Sequence, residues 1–128
     1  MMVVNGFTWP YLDVEPRRYR FRLLNGCNSR FLILRFDHPG VQVWQIGADG
    51  GFLPAPVQLN NGSGASLLMA PAERADVIVD FGDAAGTTFR LLNLGPDEPF
   101  GGGTAGVDFD PSDPDSTGQG MEFRVSAV

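Results

Sequence analysis

The sequence contains no lysine. Its nine basic residues are all arginine and face fifteen acidic ones, for a formal net charge of −6. A chain of that sign, with no basic stripe, is not built to follow a phosphate backbone, so nucleic acid is not an expected partner. There is one cysteine, Cys27, and no disulfide can form within the chain. There is one histidine, His38, where a blue-copper centre takes two together with a cysteine. No apolar run approaches the ~20 residues that cross a bilayer as a helix. The opening MMVVNGFTWP lacks the charged start and long apolar centre of a secretory signal. The chain is expected to be soluble, and nothing in it specifies a compartment. Helical periodicity is missing too: only Pro71-Ala72-Glu73 offers a turn of helix.

Turn formers and alternating strands fill the space. Glycine (17) and proline (10) are abundant, while the hydrophobic share of 43% is ordinary. A chain of 128 residues suits one domain, 1–128, able to bury about two-thirds of its unfolded surface. From Arg18 the residues alternate: Arg18, Arg20 and Arg22 fall on one face, Tyr19, Phe21 and Leu23 on the other. That period of two marks a half-buried antiparallel strand. It is expected to end at Asn25-Gly26 in a tight turn with positive φ. Val3-Val4 before Asn5-Gly6 reads as a strand and a hairpin. Arg30–Phe36 reads as a strand covered on both faces, and Val41–Gly47 as another. Phe52–Leu59, with Pro54 and Pro56, reads as an edge or a loop. Asn60–Gly64 is a turn, followed by strands at Ser66–Met69, Arg74–Phe81, Thr87–Asn93 and Met121–Val125. A Gly-, Pro- and Asp-rich loop occupies about 95–120. About eight short strands with little helix predict an all-β sandwich or barrel.

Three ordered segments carry a resemblance: NGFTWPYLDVEPRRYRFRLLNGCNSR, QIGADGGFLPAPVQL and LLMAPAERADVIVDF. They resemble the middle domain of three-domain bacterial multicopper oxidases, in the branch of spore-coat laccase, bilirubin oxidase and phenoxazinone synthase. The resemblance runs over about residues 4–94 and resumes at Met121–Val125. It implies a cupredoxin-like Greek-key β-sandwich. It also implies that copper is held by His-x-His and His-Cys-His motifs in the other domains of the parent enzyme. One histidine and one cysteine cannot build such sites, so no copper, other metal or catalytic residue is expected in this chain.

Each remaining motif has a plain structural reading beside a functional one. Cys27 and His38, with Met69 or Met121, could hold a soft metal ion; a small turn residue and a turn-capping histidine account for them more simply. Glu73, Arg74 and Asp76 could serve as an acid, base and clamp. The expected role is structural, with Arg74 pairing to Asp49 or Asp76 at the entry to a core strand. Asp49-Gly50-Gly51 lacks the helix of a phosphate loop and reads as a turn. Asp108, Asp110, Asp113 and Asp115 lack the spacing of a calcium loop and read as a solvated acidic loop. The loop carrying Gly95, Pro96, Phe100, Gly101 and Gly102 reads plainly as a flexible surface loop; the resemblance implies a place near the substrate approach to copper, where Phe100 could stack on a ring.

The expected role is a non-catalytic structural domain between flanking cupredoxin domains of the same polypeptide, with Arg18, Arg20 and Arg22 as an interdomain face. The parent would oxidise phenols or aromatic amines and reduce dioxygen to water. A stand-alone β-sandwich binding module without copper is the alternative, and a copper site shared between subunits the third reading. Apolar surface left uncovered by neighbours predicts a homo-oligomer.

Overall fold

β-branched and aromatic residues recur between glycine, proline and Asn-Gly breaks, and strands form where they do. The computed structural model describes residues 2–59 and 66–127; the turn expected over Asn60–Gly64 lies outside them. A first hairpin joins β1 (Val3–Val4) to β2 (Phe7–Thr8). Its corner residues Asn5 and Gly6 have φ of 50° and 84°, the paired positive values of a type I′ turn.

Nine further strands build two sheets. They are β3 (Tyr11–Val14), β4 (Arg18–Leu24), β5 (Leu32–Phe36), β6 (Gln42–Ala48), β7 (Gly51–Leu59), β8 (Leu67–Met69), β9 (Arg74–Asp80), β10 (Thr88–Asn93) and β11 (Gln119–Val125). One sheet has the order β3-β11-β10-β5-β8, the other β4-β9-β6-β7. Neighbours are antiparallel except β3, which runs parallel to β11. Within these two sheets only β6–β7 and β10–β11 are joined as sequence neighbours; the other connections cross between sheets or skip a strand, as in a Greek key.

The inner faces meet over one buried cluster that includes Val43, Val77 and Val79 from the four-stranded sheet and Phe36, Phe89, Leu91 and Phe123 from the other. Phe81, fully buried just after β9, touches the rings of Tyr19, Phe21, Phe89 and Phe123. β4 has the alternation that its sequence predicts: Tyr19, Phe21 and Leu23 turn inward, and the arginines stay exposed.

Four expectations change. Two short strands that the sequence did not signal, β2 and β3, raise the strand count above eight. Pro71-Ala72-Glu73 forms no helix: the Glu73 amide donates to the Ala70 carbonyl at 3.1 Å, and Ala72 takes a φ of 67°, which closes a turn instead. The one helical turn among the described residues is a 3-10 turn at Gly82–Ala84. β5 is covered on one face only, since Leu32 and Phe36 are buried while Arg35 is exposed. Finally, neither Asn25 nor Gly26 takes a positive φ; Asn25 does something else.

Candidate functional site

Asn25 ends β4 and is 1% exposed. Its Nδ2 donates to the carbonyls of Met69 (2.9 Å) and Arg30 (3.0 Å), and its Oδ1 accepts from the Cys27 amide (3.0 Å). The side chain therefore fastens the end of a strand in one sheet to β8 and the entry of β5 in the other. Asn93 ends β10 with the same design. It is 1% exposed, accepts from the Gly95 (2.9 Å) and Ile33 (3.1 Å) amides, and donates to the Thr117 carbonyl (3.1 Å). Both are buried polar groups with their bonds made. The sequence reading missed them, although a signal was present: Phe-Arg-Leu-Leu-Asn occurs at 21–25 and again at 89–93.

Asn93 also anchors the long loop. Gly95 and Pro96 are buried. The Gly95 carbonyl accepts from both the amide (3.0 Å) and the hydroxyl of the buried Ser112. Arg30 donates to Asp97 (2.7 Å) and to the Pro96 carbonyl (3.3 Å), and Thr117 donates to Asp97 (2.7 Å). The Thr117 hydroxyl, and then the Arg30 guanidinium, hold the Asp97 carboxyl below its usual range. Phe100 lies against Phe31 and edge-on to Phe109, with centroids 5.4 and 5.6 Å away, a satellite cluster under the loop. Of the five residues expected to face a substrate, Gly95 and Pro96 are anchors and Phe100 is engaged with two rings; Gly101 and Gly102 remain exposed. The aspartates of this loop do not converge: Asp108 accepts from the Thr104 amide (2.7 Å) and Asp113 from the Asp115 amide (2.9 Å). A Cβ on Gly95 would lie 2.6 Å from the Phe31 carbonyl oxygen. Gly95→Ala should therefore lower stability by about 1–3 kcal/mol, read from urea midpoints, because backbone and not a flexible side chain stands in the way.

The arginine face is paired in part. Arg20 forks onto Asp76 at 2.9 and 2.5 Å, and Arg18 reaches Asp80 at 3.2 Å. Arg18 also lies over the ring of Trp44, and Arg20 over Phe52. Asp76 thus pairs with Arg20 rather than with Arg74. Asp49 accepts from the Arg74 backbone amide at 2.8 Å rather than from its guanidinium, because the β6–β7 corner faces the start of β9. Glu73 accepts from the Ala70 amide at 2.5 Å and closes its own turn. These groups pin turns and register, and no nucleophile stands among them. The hydrogen bond from Arg20 holds the Asp76 carboxyl below its usual range. A depressed carboxylate adds stability above about pH 4 and loses it as pH falls through the lowered value. Asp76→Asn should be less stable than the parent chain at pH 7, and the gap should close below about pH 4, as urea midpoints across pH would show.

The soft donors do not meet. Cys27 precedes β5 and His38 follows it, so the five residues of that strand, at about 3.3 Å each, hold them apart. Met69 pairs with Leu32 at the Cys27 end, while Met121 joins the row of Leu91 and Phe36 near the other end. His38 Nδ1 accepts from the Gly40 amide at 2.9 Å and its ring packs on Phe89, so it caps its turn. No group of three or more His, Cys, Asp or Glu that could hold a metal occurs among the described residues. The donor set does not fit a copper centre, which takes two histidines and a cysteine at one point.

Two sheets with this connectivity define a cupredoxin-like domain, and multicopper oxidases are among the solved structures that superpose on it. The chain is homologous to a domain-sized stretch of the laccases and multicopper oxidases. It is 42% identical over 125 residues to a laccase of Bacillus subtilis, covering 98% of this chain and 21% of that one. It is 38% identical over 128 residues to the multicopper oxidase LPR1 homolog 5 of Oryza sativa, covering 98% and 18%. A variant of the McoA multicopper oxidase of Aquifex aeolicus superposes with a TM-score of 0.72 at 34% identity, over 97% of this chain and 24% of that one. No family model matches the chain. The chain spans about a fifth of the length of the curated relatives it matches.

Proposed function

We propose that the chain is the middle domain of a multicopper oxidase and acts as a structural spacer. It sets the separation of copper-bearing neighbours and contributes a wall to the substrate cleft. The observation that carries this reading is the match of nearly the whole chain to a fifth of a laccase, joined to a donor set that the fold holds apart. In that role rigidity is the useful property. Asn25 and Asn93 lock strand ends to other parts of the sandwich, and Arg30, Asp97 and Thr117 strap the loop whose exposed Gly101 and Gly102 would let a substrate approach backbone. The parent enzyme would take single electrons from phenols or aromatic amines at copper held by its other domains and pass them to dioxygen. No step of that chemistry belongs to residues of this chain. Flanking domains of the same polypeptide are the expected partners. Sequencing the gene on both sides tests the reading. His-x-His motifs upstream and a His-Cys-His motif downstream are expected; a reading frame that encodes neither would overturn it in favour of a stand-alone binding module.

A further inference from the structure

The outer face of the four-stranded sheet carries an open cleft of about 400 Å³. Its floor exists because of one glycine. A bulge after Gln45 sets Gly47 opposite both Asp76 of β9 and Phe52 of β7, and a Cβ on Gly47 would lie 3.1 Å from that of Asp76. Arg20, Arg22 and Arg74 line it together with Phe52, which is 76% exposed and lies under the Arg20 guanidinium. Arg20 is committed to Asp76. Arg22 stands opposite Asp76 in register and adds to the field on that carboxylate without bonding to it. The guanidiniums of Arg22 and Arg74 make no ion pair or side-chain hydrogen bond among the described residues. Three arginines against one aspartate make the cleft positive in a chain whose net charge is −6.

The edge beside the cleft is closed to strand addition. β7 is the outer strand of its sheet, and Pro54 and Pro56 within it have no N–H to offer a partner strand. Whatever binds here therefore engages side chains on the face. Forked guanidiniums take carboxylates in pairs of parallel hydrogen bonds, and arginine beside an exposed aromatic is the composition of interface centres.

We propose that this cleft docks an acidic segment of a neighbouring domain, one that sets carboxylates on Arg22 and Arg74 and an aromatic or aliphatic side chain between Phe52 and Gly47. That the neighbour belongs to the same polypeptide rests on the multidomain reading above. The preference of the cleft for a carboxylate-bearing segment does not, so sequencing the gene and probing the cleft can fail separately.

The probe is the peptide acetyl-Glu-Phe-Glu-Asp-amide, titrated into the purified chain and followed by amide chemical shifts and calorimetry. The expected result is saturable binding with a Kd of about 1 mM or tighter, shifts centred on Gly47 and Phe52, and weakening with added salt. Arg22→Glu with Arg74→Glu should reduce affinity about tenfold or more, while Arg35→Glu, exposed on the other sheet, should not. Unfolding of the double variant at an unchanged urea midpoint shows that its fold is intact. Absence of saturation, equal affinity in the double variant, or shifts away from the cleft would overturn the proposal. So would benzoate binding as tightly as the peptide, which would assign the cleft to a small carboxylate. Self-association lost in the double variant without peptide binding would assign it to a second copy of the chain, and would equally overturn the proposal.

Discussion

Asn25→Ala is expected to destabilise the chain by about 3–5 kcal/mol. The side chain satisfies the Met69 and Arg30 carbonyls and the Cys27 amide at a position 1% exposed. Alanine removes all three bonds and gives no replacement, so the buried Met69 carbonyl and the part-buried Arg30 carbonyl and Cys27 amide lose their side-chain partner. Each costs roughly 1–3 kcal/mol when stranded, and local relaxation recovers part of the sum. Asn25→Asp is also expected to be severe, because it turns a donor into a charged acceptor facing two carbonyl oxygens. The exposed neighbour Asn28 is the control: Asn28→Ala should stay within about 0.5 kcal/mol of the parent chain. Urea unfolding with an unchanged m-value checks the set. A loss under about 1 kcal/mol for Asn25→Ala would mean that water reaches the site and that the asparagine is not the lock between the sheets.

Phe123→Ala should cost about 3–5 kcal/mol. Phe123 is 2% exposed and sits where the sheets meet, with its ring 5.3–5.9 Å from those of Phe21, Phe36, Phe81 and Phe89. Truncation leaves a cavity walled by four rings on strands of both sheets and on the turn after β9, and fixed strands cannot collapse into it. Phe123→Leu keeps most of the volume and should recover more than half of the loss. Phe52→Ala removes an equally large ring, but from a site 76% exposed, and should change the urea midpoint little. A similar effect at positions 52 and 123 would contradict this placement of the core.

The fold was legible in the sequence wherever alternation was clean. β4 and β9 followed from period-two patterns, the β7 edge from its prolines, and the first hairpin from Asn5-Gly6. What misled was the same dipeptide in another setting. Asn25-Gly26 looks like a hairpin corner, yet Asn25 is drawn inward because the ends of β4, β5 and β8 meet there and leave backbone groups for its side chain to satisfy. A local pattern does not record which distant carbonyls need a donor. Pair choice was hidden for the same reason. Arg74 and Asp76 lie on one face of a strand, but Asp76 takes Arg20 diagonally across the ladder, which brings a fork to both oxygens, while Arg22 stands directly opposite. The glycines and prolines marked residues 95–120 as a loop, but no local pattern could show that Phe31 and Phe109 already pack on Phe100. The repeated Phe-Arg-Leu-Leu-Asn was the available clue to the two asparagine locks, since an asparagine closing two identical apolar strand ends invites a shared explanation.

The fold keeps Cys27 and His38 apart on either side of β5, and the spacer role proposed above needs no copper in this chain. Copper titration of the purified chain, with bound metal measured after dialysis together with visible absorption and electron paramagnetic resonance, tests it most directly. No stoichiometric copper, no blue thiolate-to-copper band and no oxidase activity are expected. One equivalent of retained copper with a blue band, lost in Cys27→Ser or His38→Ala, would contradict that role.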